Sequence, residues 1–327
     1  MTNKKFSDLL NEWLSMKSLS LEQPTYEDYK LLIRQISDFF GDILVENLTM
    51  EKIQEYYFYE KKRGASVGTI KHKHVIIKPA LDYAVRRLRI IDTNPAQYIE
   101  LPKKKKFIAS TLTVDEVKFL LEKEKNNLIE FGIFCASIYG MRRSEIIGLK
   151  WSAIDFKNNV FIMNNTVIKR TINGIRKFIE RPYGKNNAST RVYPIIPLFK
   201  DLLTRIEEQQ SYLKEIDSNY NYNSRKNDYI YLNFEGNLIS PDHVSTLFSK
   251  SLIKHKLPKV RFHDLRHSCA TFMHRNKILA KDIQGWLGHA SIHTTMNTYT
   301  HLDLESKFEV ATKIEEIFNK ELMTLKK

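Results

Sequence analysis

Apolar residues recur at helical spacing almost from the start of the chain. Phe6, Leu9, Leu10, Trp13 and Leu14 fall on one face of a helix over residues 5–18. Thr25 with Asp28 has the form of a capping box and predicts a second helix running through Phe39 and Phe40 to a stop at Gly41. Thr49 caps a third helix, which ends at Gly64. Ser66 opens a fourth, carrying Ile70, Ile76, Ile77, Leu81 and Val85 inward and Lys71, Lys78 and Arg86 outward. Pro79 lies inside that fourth helix and predicts a kink or break there. Four helices and no strand pattern make residues 1–100 a small all-α domain.

Asn94-Pro95 and the run Leu101 to Lys106 (LPKKKK) interrupt the periodicity. A proline followed by four lysines cannot bury itself, so residues 101–112 read as a basic, exposed linker. Thr113 with Glu116 is a second capping box and opens a mixed domain. Helical pattern covers Val114 to Leu121, Leu128 to Tyr139 and Arg143 to Leu149. Strand pattern follows at Val160 to Met163. Asn173-Gly174 between two β-rich runs is the strongest hairpin signal in the chain. GKNNAST, between Arg181-Pro182 and RVYPIIP, predicts a second hairpin. Leu198 to Ile216 is helical, Asn219 to Asn227 a polar loop, Tyr229 to Leu232 a short strand, and the chain from Ser240 onward helical. The expected fold is mainly α with a small antiparallel β-sheet, in two domains.

Composition narrows the partners. The 327 residues are 42% hydrophobic, enough for a proper core, and carry a net charge of +14. Such an excess favours a polyanion. Between Lys61 and Lys106 thirteen lysines and arginines face only three acids, and this concentration beside the linker points to a DNA-facing side. Lys71, Lys73, Lys78 and Lys103, Lys104, Lys105 and Lys106 are the candidate phosphate contacts. No apolar run reaches the roughly 18 residues a membrane span needs, and there is no signal-peptide core. Two cysteines, Cys135 and Cys269, give no disulfide framework and suit a reducing cytoplasm. A basic membrane-surface protein is disfavoured by the lack of a basic amphipathic anchor helix.

The chemistry-bearing residues gather late. Seven of the ten histidines lie between His255 and His301. His263 and Arg266, three apart, would share a helix face. His289 follows Gly288, which could end a helix, and Tyr299 lies ten residues further on. Two acid-base groups, a fixed cation and a hydroxyl nucleophile, with no Gly-rich nucleotide loop, point to attack on a phosphodiester without a metal. A rival reading takes His263 and His267, at i and i+4, as zinc ligands of the H-E-x-x-H kind. Asp264 stands where that motif needs a glutamate, however, and Arg266 would bring a cation beside a dication.

The segment Tyr139 to Trp151 (YGMRRSEIIGLKW), HDLRH at His263, LGH at His289 and Tyr299 together resemble the tyrosine recombinase (phage integrase) family. Each motif alone is ordinary surface or packing chemistry; their joint order and spacing carry the likeness. The resemblance covers nearly the whole chain and is greatest to integrases of conjugative transposons and phages of low-GC bacteria. It implies a helical core-binding domain (1–100), a mixed α+β catalytic domain (113–302) and a C-terminal helix or tail (303–327). The N-terminal arm-binding domain usual in those integrases is expected to be absent here, in a shorter or trimmed member.

By position, the resemblance assigns the first catalytic arginine to Arg142 rather than Arg143, with Tyr139 departing from the family's usual threonine. Glu145 would orient Arg142 as a supporting acid. Lys185, before RVYPI, fits the catalytic lysine, with Lys169 and Lys177 as rivals; His263, Arg266, His289 and the nucleophile Tyr299 complete the set. Implied too are cleavage and rejoining of double-stranded DNA at specific sites through a 3′-phosphotyrosine, without cofactor or metal, to integrate or excise a mobile element. A C-shaped grip on DNA by four protomers, a last helix exchanged between neighbours, and excisionase or DNA-bending accessory proteins follow by the same route. So does a bacterial cytoplasmic, nucleoid-associated location. Intact Arg142, His263, Arg266 and Tyr299 argue against a relative that only binds DNA.

Overall fold

The computed structural model describes residues 3–103, 110–172, 175–182, 190–216, 228–276, 278–288, 308 and 310–316. Its contacts divide into two units, Met1–Phe107 and Ile108–Lys327. Helices dominate, with two small antiparallel sheets, as the hydrophobic pattern predicts.

In the first unit, α1 (Phe6–Lys17), α2 (Gln23–Phe40), α3 (Met50–Lys62) and α4 (Val67–Tyr83) enclose one core. Phe6, Leu9, Leu10, Trp13 and Leu14 all point into it. Thr49 and Ser66 cap α3 and α4 by accepting the backbone N–H of Lys52 and Thr69. Two expectations are corrected. Helix α2 begins before Thr25, at Gln23, because Pro24 in its first turn is preset for helix and needs no N–H partner. Helix α4 runs unbroken through Pro79 and widens into a π-helix only at Ala84–Leu88. An interior proline costs about 3 kcal/mol. Ile76, Ile77, Ala80 and Leu81 flank it and are fully buried; one large aliphatic side chain alone contributes roughly 1.5–3 kcal/mol. Packing therefore outweighs the local penalty.

The second unit begins with α5 (Val114–Lys123), closed by the expected Thr113–Glu116 capping box, then α6 (Leu128–Ser137) and α7 (Arg143–Gly148). Five strands follow: β1 (Ile154–Asp155), β2 (Val160–Met163), β3 (Asn165–Ile172), β4 (Ile175–Pro182) and β5 (Arg191–Pro194). β3 and β4 pair in the register the Asn-Gly signal predicts, with Ile172 opposite Ile175; Asn173 and Gly174 themselves lie outside the described residues. The second predicted hairpin does not form, since β5 pairs with β2, in the order β1-β2-β5. That register sets Tyr193 against Phe161 in the core, whereas β4 is largely solvent-facing. Burial of the β5 aromatic decides its partner.

Helix α8 (Pro197–Ile216) precedes α9 (Pro241–Lys254), α10 (Asp264–Arg275) and α11 (Ala280–Leu287). Residues 229–232 form isolated bridges, from Tyr229 to Lys150 and from Leu232 to Leu238, instead of the predicted strand. All four side chains there are buried, so the segment threads the core with no exposed face to alternate. Most of the predicted polar loop from Asn219 to Asn227 lies outside the described residues. Helical residues 310–316 bury Val310, Ala311 and Ile314 in this same core. The last helix, which the family resemblance implies is exchanged between neighbours, is thus covered at these three residues by the chain's own second unit.

Candidate active site

Gly140 makes the turn between α6 and α7 possible. It adopts φ +64°, in the left-handed region that side chains rarely occupy, and its carbonyl accepts from Arg266 Nη1. Beyond the turn, Glu145 reaches back and its Oε2 accepts the backbone N–H of Arg142 at 2.7 Å, while Oε1 accepts Arg142 Nη1 at 2.8 Å. The spacing of three that put both residues on one helix face therefore fixes the arginine's stem and head. Arg142 Nη2 donates to the Gly288 carbonyl at 3.0 Å, joining α7 to the end of α11. Arg143, the alternative first arginine, points elsewhere, to Ser245 on α9.

Arg266 reaches the same place from α10. Its Nη2 donates to the Leu287 carbonyl at 2.6 Å. Helix α11 ends here as the sequence predicts, on Gly288 in the left-handed conformation (φ +66°). Its last carbonyls, at the negative end of the helix dipole, are thus gripped by guanidiniums. Tyr139 and Trp286 stack beneath, with ring centroids 5.7 Å apart. Tyr139, the residue that departs from the family's threonine, is buried; its hydroxyl donates to the Pro194 carbonyl and accepts the Ile196 N–H.

A third arginine completes the cluster. Arg191, the first residue of β5, donates from Nη2 to Glu145 Oε1 at 2.6 Å and from Nη1 to the Leu287 carbonyl. Sequence reading used RVYP only to locate the catalytic lysine and missed this arginine. The available signal was a cation at the head of a strand whose next inward residue, Tyr193, is core. Two guanidiniums therefore share one carboxylate, and that of Arg266 shares the Leu287 carbonyl with Arg191.

The electrostatics follow from that imbalance. Burial and then Arg142 push Arg266 down to about 10, so it stays charged at neutral pH but lacks a full counter-charge. Burial alone would raise Glu145, yet Arg191 and Arg142 hold it below the usual carboxylate range. Among the three, Arg142 is the exposed one, at 37% of its side-chain surface, against 4% for Arg191. The cluster presents excess positive charge through one accessible fork, a geometry suited to a phosphate.

His263 precedes Asp264 at the start of α10, exposed, its ring 5.7 Å from that of His267 and nearly perpendicular to it. Desolvation, then His267 and Arg266, lower its pKa from the ordinary value, so the neutral imidazole that can accept a proton prevails at neutral pH. Lys185, His289 and Tyr299 lie outside the described residues. Of the rival lysines, Lys169 sits over the Phe178 ring and Lys177 is exposed on β4.

The candidate phosphate contacts of the first unit divide. Lys71 and Lys78 are half-buried on α4 and Lys103 is exposed, while Lys104, Lys105 and Lys106 lie outside the described residues. Lys73 is a correction. It is buried, bonded to Glu60 at 2.6 Å and set over the Tyr56 ring, so it points into the core and away from solvent.

Comparison with known proteins gives the family. The phage integrase family model matches residues 110–306, and that of the phage integrase N-terminal SAM-like domain matches residues 5–61. The chain belongs to the phage integrase family and is a site-specific tyrosine recombinase. A tyrosine recombinase XerC-like protein of Caldanaerobacter subterraneus subsp. tengcongensis is 27% identical, over 95% of this chain and 83% of its own length. The ICEBs1 integrase of Bacillus subtilis is 23% identical with the same coverage of both. Among solved structures, the Tn1549 transposon integrase in complex with transposon right end DNA superposes with TM-score 0.76 at 18% identity, covering 95% of this chain and 99% of that one. A lambda integrase tetramer bound to a Holliday junction superposes with TM-score 0.64 at 18% identity, covering 89% and 79%.

Proposed function

We propose that the arginine cluster holds the scissile phosphate of a specific DNA site while Tyr299 attacks it. The observation that carries this reading is the convergence of Arg142 and Arg266 on adjacent carbonyls at the end of α11, with Glu145 beneath. A phosphorus attacked by oxygen gathers negative charge on its non-bridging oxygens. Two planar cations that cannot deprotonate at neutral pH stabilise that charge more than they stabilise the starting diester. A tyrosine phenol, whose reference pKa is about 10, needs a base to attack at neutral pH, and His263 takes the proton of Tyr299. The tyrosyl oxygen–phosphorus bond forms as the bond from phosphorus to the 5′ oxygen breaks. Lys185 gives that oxygen its proton, and His289 hydrogen-bonds the phosphate. A 5′ hydroxyl from a second strand then reverses the step, so rejoining uses no nucleotide cofactor.

On the same reading, residues 1–100 grip the core site, 101–112 connect, 113–302 cleave, and Lys71, Lys78 and Lys103 to Lys106 meet the backbone. Four protomers act on two DNA segments of a mobile element, in the cytoplasm at the nucleoid, with excisionase or DNA-bending proteins as accessories. The lambda integrase tetramer on a Holliday junction supports the assembly. That no described helix is long and apolar enough to cross a membrane is consistent with the location. The test is incubation with nicked DNA of the element's ends, followed by a denaturing gel. The unmodified protein should carry covalent DNA, and Tyr299→Phe should bind the DNA without becoming linked to it. An adduct with Tyr299→Phe would remove the nucleophile assignment.

A further inference from the structure

Glu145 is fully buried and shared. Its Oε1 accepts from Arg142 at 2.8 Å and from Arg191 at 2.6 Å, while its Oε2 closes the turn onto the Arg142 backbone. A single carboxylate cannot neutralise two guanidiniums, so Arg142, Arg191 and Glu145 together carry a net positive charge that a lone Arg142–Glu145 pair would not. Arg191, like Arg266, is almost wholly buried, and its guanidinium is engaged by Glu145 and the Leu287 carbonyl. Gly288 covers it so closely that a Cβ there would lie 2.7 Å from Arg191 Cδ. Its second arm shares the Leu287 carbonyl with Arg266 Nη2. One buried guanidinium therefore touches both the carboxylate that aims Arg142 and the helix end that anchors Arg266.

We propose that Arg191 is a positioning residue for DNA cleavage, acting through Glu145 and the Leu287 carbonyl to aim Arg142 and Arg266. This rests on the reading of Arg142 and Arg266 as the phosphate clamp. Arg191 ties strand β5, the start of α7 and the end of α11 into one frame, in which an error in its placement moves both working arginines together. A structural tie alone would lower stability and DNA affinity. A positioning role acts on the rate after DNA is bound.

The experiment is single-turnover adduct formation on a nicked DNA substrate, at saturating and subsaturating DNA. It compares the unmodified protein with Arg191→Lys, Arg191→Gln, Glu145→Gln and the double variant Arg191→Lys with Glu145→Gln. Arg191→Lys keeps the charge but cannot hold Glu145 and Leu287 with one planar fork. Its rate at saturating DNA should fall about tenfold or more while its DNA affinity stays within about threefold. Arg191→Gln should fall further; if it does not fold, the lysine variant carries the comparison. In the Glu145→Gln background the lysine substitution should cost clearly less than in the unmodified protein, because one of its two links is already cut. Arg191→Lys cleaving at the unmodified rate, or losing rate undiminished in the Glu145→Gln background, would overturn the proposal. An unmodified protein that forms no adduct would remove the cleavage reading and this proposal with it, a result distinct from either.

Discussion

Arg142 is the one guanidinium of the cluster that solvent reaches, and its fork is already aligned by Glu145 and the Gly288 carbonyl. Arg142→Lys keeps the charge but offers a point ammonium to a site built for two parallel bonds. Cleavage should fall on the order of 10²–10⁴-fold with DNA binding largely retained; near-normal turnover in a nicked-substrate assay would move the role to Arg143. His263 gives a pH prediction with a fixed sign. A general base works deprotonated, and its pKa in the free protein is lowered, so the acid limb of cleavage at subsaturating DNA should lie below the ordinary histidine value of about 6.5. A limb centred above that value would contradict the assignment. Arg142 and Glu145 were legible as candidates because they lie three apart, and Arg266 because it lies three from His263 in a motif the family resemblance picks out. Arg191 was not, because it meets Glu145 only through a strand pairing set by the packing of Tyr193 on Phe161.

At the scale of elements, periodicity and caps located the helices well, and errors arose where burial overruled a local signal. Pro79 stays within α4, β5 joins β2, and residues 229–232 run through the core without a ladder. Lys73 shows the same limit for charge. Its place in a basic stretch suggested a phosphate contact, yet it turns inward to Glu60 on α3, which faces Arg63 only at 3.9 Å as a second partner. Removing one member of a buried pair strands the other, so Lys73→Met should lower unfolding stability by about 3 kcal/mol. Denaturant titration checks this, alongside DNA affinity measured on the folded variant. Affinity should be unchanged; unaltered stability with weakened binding would return Lys73 to the DNA-facing set.

At the scale of the whole molecule, a chain of net charge +14 carries its functional positive charge in two forms. On the proposed reading, exposed lysines such as Lys103 would attract the polyanion without regard to geometry, whereas the arginine cluster is fixed by α7, β5, α10 and α11. The covering of Val310, Ala311 and Ile314 by the chain's own core also means that any exchange of the last helix between protomers must first expose an apolar face. The central claim, that one phosphodiester is held by this cluster while a phenol oxygen takes it over, has a direct chemical signature. Protein linked to nicked element-end DNA would be digested with nuclease and protease, and the nucleotide-bearing peptide sequenced by mass spectrometry. The account predicts a single 3′-phosphotyrosine at Tyr299; a linkage at any other residue, or none, would contradict it.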